Sequence, residues 1–143
     1  MWYDGIIKGI LQSPLHGMVS SGIMLLKYTG HKSGRRYTVP ISFVDDPDHD
    51  QLWTVSLRKR TWWRNLRQSA PVTLRFKGRD RLAKSDVFES DEEVREALLQ
   101  LFKLAPVYAR YLEIPLDDKD KPVEEAFAKA IAKRVVVVFK LVG

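Results

Sequence analysis

The sequence predicts an α+β domain built around a small antiparallel barrel. Three observations carry that expectation. Strand-length runs of apolar or alternating residues recur from Gly22 to Phe88, turn signals separate them, and the firmest helical periodicity begins only after Ser90. Strands in series with helices at the ends and on one side fit an antiparallel sheet curled on itself, not an alternating βα sheet. At 143 residues the chain suits a single core, so residues 1–143 are expected to form one domain.

Trp2, Ile6, Ile7, Ile10 and Leu11 recur at helical spacing and predict a short amphipathic helix that Pro14 ends. It is expected to lie on the body of the protein, with peripheral membrane contact as the weaker competitor. Gly22 to Tyr28 reads as a mostly buried strand, and the stretch TGHKSGRRYTVP, Thr29 to Pro40, follows as its turn. Tyr37 to Val44 supplies the next strand, with Val39, Ile41 and Phe43 on one face. Asp45 to Asp50 is a turn without the spacing or the terminal glutamate of a calcium loop.

In the third strand Leu52, Thr54 and Ser56 alternate with Trp53, Val55 and Leu57. Thr61 is placed to cap a short helix, Trp62 and Leu66 share a face at i, i+4, and Pro71 closes it. Val72, Leu74 and Phe76 then alternate with Thr73, Arg75 and Lys77, and Gly78-Arg-Asp80 turns the chain into a strand around Leu82 to Phe88. Ser90-Asp-Glu-Glu93 has the form of a capping box, and Val94, Ala97, Leu98, Leu101 and Phe102 continue it at helical spacing. A segment from Pro106 to Tyr111 interrupts that helix, another runs from about Val123 to Lys133, and four consecutive valines mark a last strand, Arg134 to Val142, covered on both faces.

Composition narrows the function classes. The chain has no cysteine, which excludes disulfides and thiolate metal sites, and His16, His31 and His49 are not at ligand spacing, so metal catalysis is not expected. No run approaches the ~18 apolar residues of a membrane span, and the amino terminus shows no basic leader with a cleavage pattern, so a cytoplasmic location is expected. The net charge of +6 is unevenly spread: Lys27 to Arg81 holds 13 Lys/Arg against 5 Asp/Glu, whereas the remainder is slightly acidic. An acidic partner should therefore meet that segment, unless the charge is only a solvated surface.

Within the segment, Lys32, Arg35 and Arg36 surround Gly30, Ser33 and Gly34. Glycines let backbone N–H groups converge, and lysine or arginine beside such a concavity is a means of holding phosphate. Ser33 adds a hydroxyl donor and the arginines a bidentate fork. The stretch is neither a Walker loop nor a GxGxxG fingerprint, and a plain hairpin turn remains the other reading. A second basic cluster, Arg58, Lys59, Arg60, Arg64 and Arg67, surrounds Trp62 and Trp63, a pattern open both to single-stranded nucleic acid and to a cofactor phosphate. Trp62, paired with Leu66, is expected to be the structural indole. No nucleophile–base set and no carboxylate pair in an apolar context offers itself, which favours borrowed reactivity from a bound redox cofactor.

These residues resemble the deazaflavin-dependent nitroreductase family, within the flavin and deazaflavin oxidoreductases of split β-barrel fold. The resemblance rests on Thr29, Gly30, Lys32, Ser33, Gly34 and Pro40, then on Trp62/Trp63, Asn65, Leu66, Ala70 and Pro71, in family order and spacing. His31 and Tyr37 stand where members often carry arginine. The resemblance implies a six-stranded antiparallel split barrel flanked by helices, often paired as a homodimer, with the coenzyme F420 as cofactor and FMN as the alternative. It implies hydride transfer from reduced F420 to an activated alkene, quinone or nitro compound. Lys32, Ser33, Gly34, Arg35 and Arg36 are then expected at the cofactor's phosphate or tail, Pro40 within the cofactor-binding set, and Ser56, Leu57, Arg58 and Asn65 beside its ring or ribityl chain. Tyr108 and Tyr111 are the candidates for orienting or protonating the acceptor, and as plain chemistry they read equally well as core aromatics. A storage protein for the cofactor, or a nucleic-acid module, stands as the non-enzymatic alternative.

Overall fold

A computed structural model describes residues 22–119 and 121–142. The helix expected on Trp2 to Leu11 lies outside the described residues. Six strands, β1 (Gly22–Thr29), β2 (Arg36–Asp46), β3 (Gln51–Leu57), β4 (Pro71–Phe76), β5 (Arg79–Phe88) and β6 (Arg134–Leu141), close into a barrel in the order β1-β2-β3-β6-β5-β4. Every pairing is antiparallel, and Leu26↔Leu74 lies in the β1–β4 seam that completes the ring. Between β5 and β6 the chain forms α1 (Asp91–Leu104), α2 (Val107–Tyr111) and α3 (Glu124–Ala132).

Alternation along the strands divides the apolar residues into two cores. Met24, Leu26, Leu52, Leu74, Val135, Val137 and Phe139 fill the barrel interior. Val136 and Val138, on the opposite face of β6, pack with Val94, Leu98 and Leu101 of α1 and Phe127 and Ile131 of α3. The valine run is thus covered on both faces, as its composition predicts. Helix α1 begins at the expected capping box: the Glu93 N–H donates to Ser90 Oγ at 3.1 Å, and the Ser90 N–H donates to Glu93 Oε1 at 3.3 Å.

Three local expectations are corrected. Trp62–Leu66 is a 3-10 turn, not an α-helix. Its three-residue period puts Trp63, rather than Trp62, on the same face as Leu66, and Trp63 is the buried indole. Pro71 opens β4 instead of closing the helix, a position where a strand tolerates a missing N–H. The β4–β5 turn falls at Lys77 and Gly78, both with positive φ (52° and 77°), the geometry of a two-residue hairpin loop.

The ladder between β2 and β3 is short, pairing only Val44–Asp46 with Gln51–Trp53. Among the described residues strand β2 has no partner on that side from Arg36 to Phe43, and there Thr54 Oγ1 donates to the Ser42 carbonyl at 3.0 Å. Pro40 sits in this open stretch, opposite Leu25 of β1.

Candidate functional site

The basic turn connects β1 to β2 at one end of the barrel. Its last two pairs are Tyr28↔Tyr37 and Thr29↔Arg36, and the two tyrosine rings stack with centroids 5.5 Å apart at 25°. Above them the Gly30 N–H donates to the Arg35 carbonyl at 2.8 Å and the Gly34 N–H to the Gly30 carbonyl at 2.9 Å. Gly34 has φ 68°, a conformation that costs glycine nothing. Ser33 Oγ accepts the Arg35 N–H at 3.2 Å and lies 3.3 Å from the Tyr37 hydroxyl, so the serine first stabilises the turn itself.

Gly30 is required for another reason. A Cβ there would stand 2.9 Å from both Ser33 Oγ and Tyr37 Cε2, atoms fixed by the turn and by the ring stack. Gly30→Ala is expected to cost about 1 kcal/mol, since overpacking forces the neighbours apart; urea unfolding of the variant checks it.

The 3-10 turn forms the facing wall. Trp63 and Leu66 anchor it in the barrel interior, and the buried Ser85 hydroxyl of β5 donates to the Leu66 carbonyl at 2.7 Å. Asn65 Nδ2 donates to the Thr61 and Trp62 carbonyls at 3.4 and 3.2 Å, which turns Oδ1 toward the basic turn. Oδ1 accepts the His31 N–H at 3.0 Å and meets His31 Nδ1 at 2.8 Å. An amide oxygen only accepts, so His31 carries its proton on Nδ1. Asn65 therefore fastens the turn to the barrel. Removing the Ser85 hydroxyl leaves a buried carbonyl without its donor, and Ser85→Ala is expected to destabilise the fold by about 1–3 kcal/mol, read from the urea midpoint.

Between these walls lies a cavity of ≈ 410 Å³. Gly30, His31, Lys32 and Ser33 line it from the turn, Tyr28 and Tyr37 from beneath, and Thr61, Arg64 and Asn65 from the 3-10 turn. Burial, and secondarily Tyr37, push the Tyr28 phenol upward, so it faces the cavity uncharged at neutral pH. Lys32, Arg35 and Arg36 form no ion pair with any described residue. Arg64 rests its guanidinium 5.5 Å from the Trp63 ring centroid. Of the other cations of the basic segment, Arg67 is paired with Glu89, Arg75 and Lys27 with Asp80, and Lys77 with Asp45, whereas Lys59, Arg60, Arg79 and Arg81 form no ion pair with a described residue and line neither this cavity nor the one beside it. The N–H groups of Lys32 and Ser33 meet no acceptor among the described residues. Lys32 and Arg64 thus bring unpaired positive charge to this cavity, together with two open backbone donors, which is the chemistry that accepts an anion.

No protein-family model matches the sequence, and no curated protein does either. Solved structures do. A candidate pyridoxamine 5'-phosphate oxidase from Listeria innocua superposes with a TM-score of 0.51 at 13% identity, covering 100% of this chain and 95% of that one. The fold is the split β-barrel. A candidate 5-nitroimidazole antibiotic resistance protein from Bacteroides thetaiotaomicron VPI-5482 shares it, with a TM-score of 0.53 at 15% identity over 97% of this chain and 80% of that one. An F420-H2-dependent reductase aligns at a TM-score of 0.48 and 21% identity, covering 81% of this chain and 92% of that one.

The split barrel brings together only part of the expected set. Lys32, Ser33 and Asn65 line the cavity, Gly34 and Arg35 shape the turn beside it, and Arg36 lines an adjoining cavity of ≈ 320 Å³ that shares Tyr28 and Tyr37. Pro40 lies farther along β2 and lines neither cavity. Ser56 is buried and donates to the Leu57 carbonyl at 3.1 Å; neither it nor Leu57 lines either cavity. Arg58 is otherwise employed: its guanidinium donates to the carbonyls of Glu89, Ile131 and Arg134 at 2.7, 3.2 and 3.1 Å and to Asp91 Oδ1 at 3.3 Å. It ties the ends of β3, β5 and β6 to the helices. Arg64, from the second basic cluster, lines the cavity, and Tyr28 and Tyr37 join it without having been singled out for it. The tyrosines flank the turn symmetrically in sequence, which is the signal of a cross-strand pair.

Tyr108 and Tyr111 line neither cavity. Tyr108 is buried in the outer core, 5.3 Å from the Tyr111 ring, and burial pushes its hydroxyl up to about 12 although the Ser42 hydroxyl pulls the other way. A phenol held neutral in the fold but ionising near 10 when unfolded stabilises the protein fully below pH 10 and loses that contribution between pH 10 and 12. The expected loss at pH 11 is about 1.4 kcal/mol, which Tyr108→Phe should abolish in alkaline urea melts.

Proposed function

We propose that the protein is a deazaflavin-dependent oxidoreductase, passing a hydride from reduced F420 to a small electrophilic acceptor such as an activated alkene, a quinone or a nitro compound. The observation that carries this reading is the cavity at the β1–β2 turn, where unpaired Lys32 and Arg64 meet the open N–H groups of Lys32 and Ser33, with Arg35 on the same turn and Arg36 lining the adjoining cavity. That donor set fits the phosphate and acidic tail of F420, and several cations suit a multiply charged tail better than one phosphate. The split-barrel fold agrees with it, and the sequence motifs on both walls resemble those of F420 enzymes.

When bound, the deazaflavin supplies the hydride, so the protein's own task is to hold, orient and shield. Lys32, Arg35 and Arg36 hold the anionic end, with Arg64 across the cleft. Asn65 keeps the turn at a fixed position through His31, so the charges are set before the ligand arrives. The stacked Tyr28 and Tyr37 give the cleft a flat, aromatic floor. Tyr111 is exposed and packs on Tyr108, and since neither lines the basic cleft no acceptor contact is assigned to them.

The test is turnover. Purified protein is mixed with reduced F420 and, separately, reduced FMN, and the oxidised cofactor is followed spectroscopically with a quinone, a nitroarene and an enone as acceptors. Oxidation of reduced F420 that saturates in acceptor is expected. Turnover with reduced FMN alone would replace F420 by FMN in the same cleft, and turnover with neither would remove the enzyme assignment.

A further inference from the structure

A separate cavity, of ≈ 700 Å³, opens between α1, the start of α2 and α3, and shares no residue with the basic cleft or the cavity adjoining it. Its floor is aromatic: Phe102 and Phe127 are buried, with ring centroids 6.1 Å apart. Leu99 of α1 and Leu116 of the α2–α3 loop form its sides and are 38% and 37% exposed. Leu116 is held in place by its bridge to Pro122.

The charges around this floor are not balanced. Arg95 lies 5.0 Å from the Phe127 ring centroid and donates to both Glu124 carboxylate oxygens, at 3.0 and 2.6 Å. That pair cancels itself and leaves its neighbours to set the potential. Lys103 and Lys121 also line the groove, and neither forms an ion pair with a described residue. Asp117 is occupied with the Lys119 and Lys121 N–H groups, at 2.8 and 2.9 Å, and lines the neighbouring cavity instead. An apolar trough is thus bordered by two ammonium groups: Lys103 has no ion pair among the described residues, and Lys121, through its N–H and then its charge, helps hold the Asp117 carboxyl below its usual range. A ligand that satisfies both features has an apolar body and one negative head.

We infer that this groove binds a small amphipathic anion, a carboxylate on an unbranched alkyl chain, at a site separate from the cofactor cleft. The chain lies over Phe102 and Phe127 between Leu99 and Leu116, and the carboxylate meets Lys103 and Lys121. Neither a cation nor a neutral alcohol of the same length makes the second set of contacts.

Calorimetric titration of the full-length protein with dodecanoate below its micellar concentration tests this, with dodecyltrimethylammonium as the control of opposite charge. Saturable one-to-one binding of dodecanoate alone is expected. The exposed-site variant Lys103→Glu/Lys121→Glu should weaken it at least about tenfold, and Leu99→Asp should abolish it while leaving F420 affinity unchanged. If Leu99→Asp fails to fold, Leu116→Asp on the loop takes its place. The proposal is overturned if dodecanoate gives no saturable heat, if the cation binds equally well, or if charge reversal leaves the affinity as it was.

Discussion

Arg58→Ala is expected to lower folding stability by about 3 kcal/mol, because three backbone carbonyls then lose a charged donor. The guanidinium reaches Glu89 at the end of β5, Ile131 of α3 and Arg134 at the start of β6, positions 31, 73 and 76 residues away in the chain. No water or neighbouring side chain reproduces that planar fork, and Arg58→Lys, with one compact ammonium, should recover only part of the loss. Urea unfolding reads the effect directly. Cofactor affinity measured well below the denaturation midpoint should stay close to that of the parent, since Arg58 does not line the cleft. A variant that keeps its stability but loses the cofactor would return Arg58 to the binding set.

The complementary result is expected from Lys32→Ala/Arg36→Ala. Both residues are exposed and unpaired among the described residues, so removing them should move the melting midpoint little. Affinity for F420 should fall about a hundredfold, the sum of two partly screened charge-assisted contacts, and the drop should shrink as salt is added. The two variants thus separate basic residues that hold the fold from those that hold a ligand, although all three belong to one positively charged stretch of sequence.

The parts of the fold that were legible in the sequence are those fixed by local pattern. The capping box at Ser90 and Glu93 and the spacing of Val94 to Phe102 specify α1 without reference to any distant residue. The valines of β6 declare their burial because both faces of the strand are apolar. Trp63 was missed because five residues are too few to distinguish a 3-10 period from an α period, and the half-residue difference per turn decides which indole turns inward. The basic turn was visible as a charge and glycine cluster, but its partner was not. Asn65 lies 34 residues from His31, and only closure of the barrel brings them together. The carbonyl partners of Arg58 were hidden for the same reason: they come from three elements later in the chain, and an arginine beside tryptophans looks alike whether it faces solvent or carbonyls.

The central claim is that the turn from Gly30 to Arg36 grips the anionic end of the cofactor, and amide chemical-shift mapping tests it most directly. Nitrogen-15-labelled protein is titrated with F420, and every backbone amide is followed at once. The largest saturable shifts should fall on Lys32, Ser33 and Arg35, with the Asn65 side-chain amide responding and Arg58 and Tyr108 unmoved. Shifts concentrated elsewhere on the barrel, or none at the turn, would contradict it.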